Sequence, residues 1–294
     1  MKKQMFLMAI VLLFSVTTSS AHSLWINACT SDVHKPPHAM LSLGWGHILP
    51  MDDMLNSPNG QIVIEKFELI DPSLKKSTLL MPDSSPAKAE AAQVNYDLFK
   101  AELATQKIAF KKESKQGVYQ VSAVSKPTFY TQYIDTAGKP RMQLKPMDQL
   151  DNIKKVLMAV KFQAFAKSFI TLGEWVEPKP LGHGLEIIPK TDLSDVHVGD
   201  LVQVEVLFQG KPLNATAKSI DYITAHSDSF GQSDGFSLFS YIMEGKAQFR
   251  VQSAGQWMIS VNHKDDVTPD GDLKALVGKA EQVYHAASLT FTVK

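Results

Sequence analysis

LVQVEVLF, Leu201–Phe208, alternates strictly, with Val202, Val204 and Val206 on one side and Gln203 and Glu205 on the other. A period of two marks a strand with one buried face. Gln209-Gly210-Lys211-Pro212 follows as a turn. Similar segments recur around it at 185–188, 217–224, 247–251, 257–262 and 288–293, separated by turn residues and with no helical period between them. That spacing predicts a β-sandwich of immunoglobulin or prealbumin type for residues 181–294. The chain has one cysteine, Cys29, so the disulfide-linked form of that sandwich is excluded.

Working back toward the N-terminus, Gly173 to Pro180 (GEWVEPKP) is polar and proline-rich and reads as the domain boundary. Residues 22–180 form the expected N-terminal β-rich domain. Met40 to Leu43 reads as a strand ending at Gly44-Trp45-Gly46-His47, and QIVIEKFELI (61–70) as another, stopped by Asp71-Pro72. Segments 117–125 and 129–134 add two more. The exception is 147–169, where Leu150, Ile153, Val156, Leu157, Val160, Ala164, Phe165 and Phe169 recur at helical spacing. That period predicts a helical segment. The expected fold class is therefore mainly β, two β-sandwich-like domains, with a helical segment near 147–169.

The composition is 44 % hydrophobic and 20 % charged, that of a globular protein with a full core. Thirty basic residues balance thirty acidic ones, so no basic face points to nucleic acid. Beyond the N-terminus no apolar run approaches the ~18 residues of a membrane span, and no membrane insertion of the mature chain is expected. There is no GxSxG elbow, HExxH helix, phosphate loop or GxGxxG turn. No catalytic residue or organic cofactor is predicted, and the chain reads as a non-enzyme.

Residues 1–21 read as a cleaved signal peptide. Lys2 and Lys3 precede an apolar run from Met5 to Val16, and Ser19-Ser20-Ala21 supplies small residues for cleavage. The expected location is the periplasm. Cleavage there leaves His22 first, with its α-amine and imidazole on one residue. These two nitrogens can chelate a transition metal, and a further imidazole would complete a three-nitrogen site. The alternative is that a histidine falls there by chance.

Eight other histidines are available, and His47 has the strongest context. Glycines flank Trp45 just before it, and Asp52 and Asp53 follow within six residues. A carboxylate there would act as a ligand, would hold the second imidazole nitrogen, or would only cap a turn. His183 lies between Gly182 and Gly184 at the boundary, and His263 follows the 257–262 strand. His226 and His285 are placed near strand ends, and His34 and His38 flank Pro36-Pro37. The predicted metal ligands are His22, His47, His183, His263 and Asp52.

Several segments together resemble a bacterial periplasmic domain-of-unknown-function family labelled as a component of nickel or cobalt uptake. They are AHSLW (21–25), GWGHILPMDD (44–53), KPLGHGLEIIPKTD (179–192), VGDLVQVEVLFQGKPL (198–213), the 254–263 strand and HAASLTFTV (285–293). The resemblance implies a soluble periplasmic β-rich protein that handles a divalent transition metal, nickel or cobalt, with copper or zinc as alternatives. It carries over onto His22, Trp25, His47, Asp52, Asp53, His183 and His263. The partners it implies are the metal ion and an inner-membrane metal transporter. Two other classes remain open at this stage: an oxidative enzyme with a copper brace, and a metal-free adhesion or assembly module. Metal binding is expected to weaken as pH falls, because the ligands must lose their protons.

Overall fold

The computed structural model describes residues 22–33, 35–58, 61–92, 95–215, 220–230 and 236–294. The expected signal peptide, His34 and the start of the 217–224 segment lie outside these residues. Seven longer strands come first: β1 (Ser23–Ser31), β2 (His38–Gly46), β3 (Ile64–Ile70), β4 (Gln106–Ala109), β5 (Gly117–Ser125), β6 (Thr128–Asp135) and β7 (Ile153–Leu172). The second half adds β8 (Leu185–Pro189), β9 (Leu201–Phe208), β10 (Tyr222–Ser227), β11 (Leu238–Tyr241), β12 (Lys246–Arg250), β13 (Gly255–Asp266) and β14 (Gln282–Val293).

A ten-stranded sheet runs through the centre in the order β11-β10-β13-β14-β7-β5-β3. The short strand Lys76–Thr78 lies beyond β3, and β6 with Pro140–Gln143 attaches to the first half of β7. The pairing of β7 with β14 is parallel; its pairings with β5 and β6 are antiparallel. A three-stranded sheet, β1-β2-β4, covers one face of the central sheet, and β8, β9 and β12 cover the other.

The two cores follow from strand alternation. Ala164, Ala166 and Ile170 of β7 turn toward Leu24, Ile26, Leu41 and Leu43 of the N-terminal layer. Phe165 of the same strand turns the other way. It joins Val202, Val204 and Val206 of β9 with Ile259 and Leu289. The alternation of LVQVEVLF thus places its valines in the core, as expected. The fold is mainly β and sandwich-like. The two outer layers come from either side of residue 180, and they share the central sheet, because β14 pairs directly with β7.

The helical expectation at 147–169 is corrected. Only Met147–Gln149 forms a single 3-10 turn, and Ile153–Leu172 is one long strand. Two features disguised its period of two. Its second half is buried on both faces, which produces a near-continuous apolar run. In its first half, pairing to β6 slips between Ile153 and Lys155 and again between Val156 and Met158. Each bulge shifts the phase of the pattern by a residue. No helix among the described residues is long and apolar enough to cross a membrane.

Candidate metal centre

His22 lies at the start of β1 and His47 just past the end of β2. These strands are antiparallel, with Ser23 opposite Gly46 and Leu24 opposite Trp45. Two residues 25 positions apart in sequence are thereby brought together. Their ring centroids are 4.4 Å apart, and the His22 ring stacks at 5.2 Å and 17° on Trp45.

Two glycines shape this end of the hairpin. Gly44 is opposite Trp25, whose indole fills the space a side chain would need. Gly46 has φ +129°, and a Cβ on it would meet Asp52. The chain therefore turns sharply at Gly46, and Asp53 returns to donate its N–H to the Trp45 carbonyl at 3.0 Å. The intervening loop is anchored by its Pro50 carbonyl, which accepts from Trp25 Nε1 at 3.3 Å and Asn27 Nδ2 at 2.9 Å. Leu49 packs with Trp25 and Met258 beneath it.

Asp52 holds His47 at two points. Its Oδ2 accepts the His47 backbone N–H at 2.7 Å and lies 3.2 Å from Nδ1. A carboxylate on Nδ1 fixes the tautomer, so a metal taken by His47 would meet Nε2. Asp53 Oδ2 lies 3.9 Å from His22 Nε2. Burial holds the His22 imidazole below its ordinary pKa and His47 adds to this, while Asp53 and Asp52 oppose it. That direction favours the neutral ring, the form a metal ligand needs.

A test of this local architecture is Gly44→Ala. The added Cβ would fall 2.0 Å from Trp25 Nε1, and Trp25 is fully buried. Its indole cannot move without releasing the Pro50 carbonyl. We expect a loss of about 1–3 kcal/mol in urea unfolding; an unchanged midpoint would show that the indole relocates freely.

The structure brings together three predicted ligands, His22, His47 and Asp52, with Asp53 beside them. It does not bring His183 or His263 to them. These two belong to the opposite face of the central sheet. The His183 ring stacks on Phe165 at 5.3 Å, and its Nε2 lies 3.1 Å from Ser122 Oγ. His263 Nδ1 lies 3.0 Å from Asp221 Oδ2. Their side chains follow the Phe165 and Val261 face, away from β1, which is why a single five-ligand site does not form. Among the described residues, no group of three or more His, Cys, Asp or Glu side chains is arranged to hold a metal ion.

The sequence offered Trp45 as a large ring beside His47; it is the platform under His22. Two features were passed over. Asp221 is the partner of His263. Lys167 and Glu186 form a buried ion pair behind the His183 loop. A lysine inside FQAFAKSFITL was the available signal for the last, since a charge in an apolar run must find a partner.

A family model described as a domain of unknown function, DUF4198, matches residues 19–265. The chain belongs to the DUF4198 family. The match spans the hairpin with His22 and His47 and the central-sheet strands as far as most of β13, and it stops before β14. No curated protein matches this DUF4198 chain.

Proposed function

We propose that this DUF4198 protein is an exported metal-binding protein that captures a divalent transition ion, nickel or cobalt, and passes it to a membrane transporter. The observation that carries the reading is the pair of imidazoles, His22 and His47, 4.4 Å apart at a hairpin end. Cleavage after Ala21 would add the His22 α-amine to make three nitrogen donors. Asp52 would orient His47, and Asp53 is near enough to offer a carboxylate. Nitrogen-rich sites of this kind suit late first-row metals and not calcium or magnesium. Copper binds such donors most tightly of the divalent series, so supply in the compartment would select the ion.

The test is a calorimetric titration of Ni²⁺, Co²⁺ and Cu²⁺ into protein that starts at His22. Trp45 lies against the site and provides a second readout by quenching of its fluorescence. We expect one equivalent of metal at this site. His22→Ala should weaken binding there about 100-fold, roughly 2.7 kcal/mol. An extra alanine before His22 keeps the ring and removes the chelating amine, and should weaken binding comparably. Full affinity and quenching in both variants would remove the terminal chelate from the account.

A further inference from the structure

The opposite face of the central sheet holds a second set of imidazoles. His263 of β13 is directly across from His285 of β14 in an antiparallel pair. Directly opposed residues on such strands have Cβ atoms about 4.5–5.5 Å apart. Two imidazoles so placed can reach one ion, whose bonds to nitrogen are about 2.0–2.1 Å. Both residues are 8 % exposed. Both rings turn toward the layer that contains β9, where Phe208 touches each, at 4.4 Å from His263 and 5.6 Å from His285.

Three details give this pair the features of a ligand set. Asp221, immediately before β10, lies 3.0 Å from His263 Nδ1 through its Oδ2. This is the carboxylate–histidine arrangement that presents Nε2 to a metal. His285 Nδ1 is buried and has no hydrogen-bond partner. A buried polar nitrogen left without a partner is unfavourable and needs an explanation. Finally, the backbone of Gly184 closes over the His285 ring, and a Cβ there would lie 3.3 Å from Nε2. A side chain at that position would crowd the ring.

We propose that His263 and His285 form a second transition-metal site, oriented by Asp221 and separate from the His22–His47 hairpin. The ligand class is a borderline divalent ion of the zinc, nickel or copper type, with water completing the coordination. Two imidazoles and one orienting carboxylate do not suit magnesium or calcium, which take oxygen ligands. His183 does not join this site. It stacks on Phe165, as His285 does, and is tied to Ser122. The proposal does not depend on the terminal chelate, because the two sites share no residue.

The experiment uses protein carrying His22→Ala, in which the hairpin site is expected to be weakened about 100-fold, titrated with Zn²⁺ and with Co²⁺. We expect one equivalent of Zn²⁺ to remain bound. Co²⁺ should broaden and shift the ring proton signals of His263 and His285 in NMR spectra. His285→Phe, which preserves an aromatic ring against Phe165 and Phe208, should weaken Zn²⁺ binding at least tenfold. The NMR readout needs no change at the site itself, so it stands even if that variant folds poorly. Absence of Zn²⁺ uptake by the His22→Ala protein would overturn the proposal. So would perturbation confined to exposed histidines such as His197, or unaltered affinity in His285→Phe. None of these outcomes bears on the hairpin site, whose failure would be seen in the His22 variants instead.

Discussion

Lys167→Ala is expected to lower the unfolding free energy by about 3–5 kcal/mol, the cost of leaving a buried charge without its partner. Lys167 extends from β7 and is 2 % exposed; Glu186 on β8 is 1 % exposed. The ammonium donates to Glu186 Oε1 at 2.9 Å. The same carboxylate accepts the N–H of Leu181 at 2.7 Å, of Gly182 at 3.0 Å and of His183 at 3.3 Å. Burial by itself pushes the Glu186 carboxyl up. Lys167 and the Leu181 N–H, with His183, outweigh burial, and the net direction is down. Burial lowers Lys167 in turn, and Glu186 opposes that. The pair therefore ties the 181–184 loop to the central sheet.

Truncating the lysine leaves the carboxylate with three N–H groups and no cation, beside a cavity where the aliphatic stem was. Urea unfolding of Lys167→Ala, Lys167→Met and the double variant Lys167→Met/Glu186→Gln separates the contributions. Methionine refills the cavity and leaves the charge. The added glutamine removes the charge and still accepts N–H bonds, so the double variant should recover much of the loss. A Lys167→Ala protein within about 1 kcal/mol of the parent would show that the ammonium is not needed to hold the carboxylate in place.

The second large effect is acid lability through His183. Burial pushes its imidazole down to about 4; Glu186 opposes this, while Lys167 adds to it. An unfolded histidine titrates near 6.5. Between those values the unfolded chain binds a proton that the folded chain refuses. Stability from this residue is complete above pH 6.5 and is lost as pH falls toward 4. The difference corresponds to about 3 kcal/mol, most of it gone by pH 4.5. Glu186, whose pKa is also lowered, has the same sign of linkage, and its contribution is withdrawn at more acidic pH. The check is urea unfolding of metal-free protein at pH 7 and pH 4.5. His183→Gln keeps a polar partner for Ser122 and does not titrate, and it should lose about 2 kcal/mol less than the parent across that interval. An equal loss in both proteins would place the acid sensitivity elsewhere.

Much of the fold was legible from side-chain period alone. Val202, Val204 and Val206 announced a strand with one buried face, and they fill the core as expected. Ile153–Leu172 was misread for the converse reason. A strand buried on both faces and interrupted by bulges loses the alternation that identifies it. Its identity depends on its neighbours β5, β6 and β14, which are remote in sequence. The same limit applied to the site. Gly44, Gly46, His47 and Asp52 are local, and their spacing already described a tight turn with an imidazole and a carboxylate. Grouping His183 and His263 with His22 failed because nothing in spacing tells which face of a shared sheet a residue occupies.

By itself, the order of residues determined where strands of simple alternation form, where glycines permit the chain to double back at 44–46, and that His47 and Asp52 are neighbours. These are short-range consequences of backbone geometry and side-chain period. Only the tertiary structure decided that His22 meets His47, that Lys167 meets Glu186, and that His263 faces His285 on the far side of the sheet. Those meetings depend on strand pairing over long separations, and burial on two opposed faces selects the pairing for the molecule as a whole.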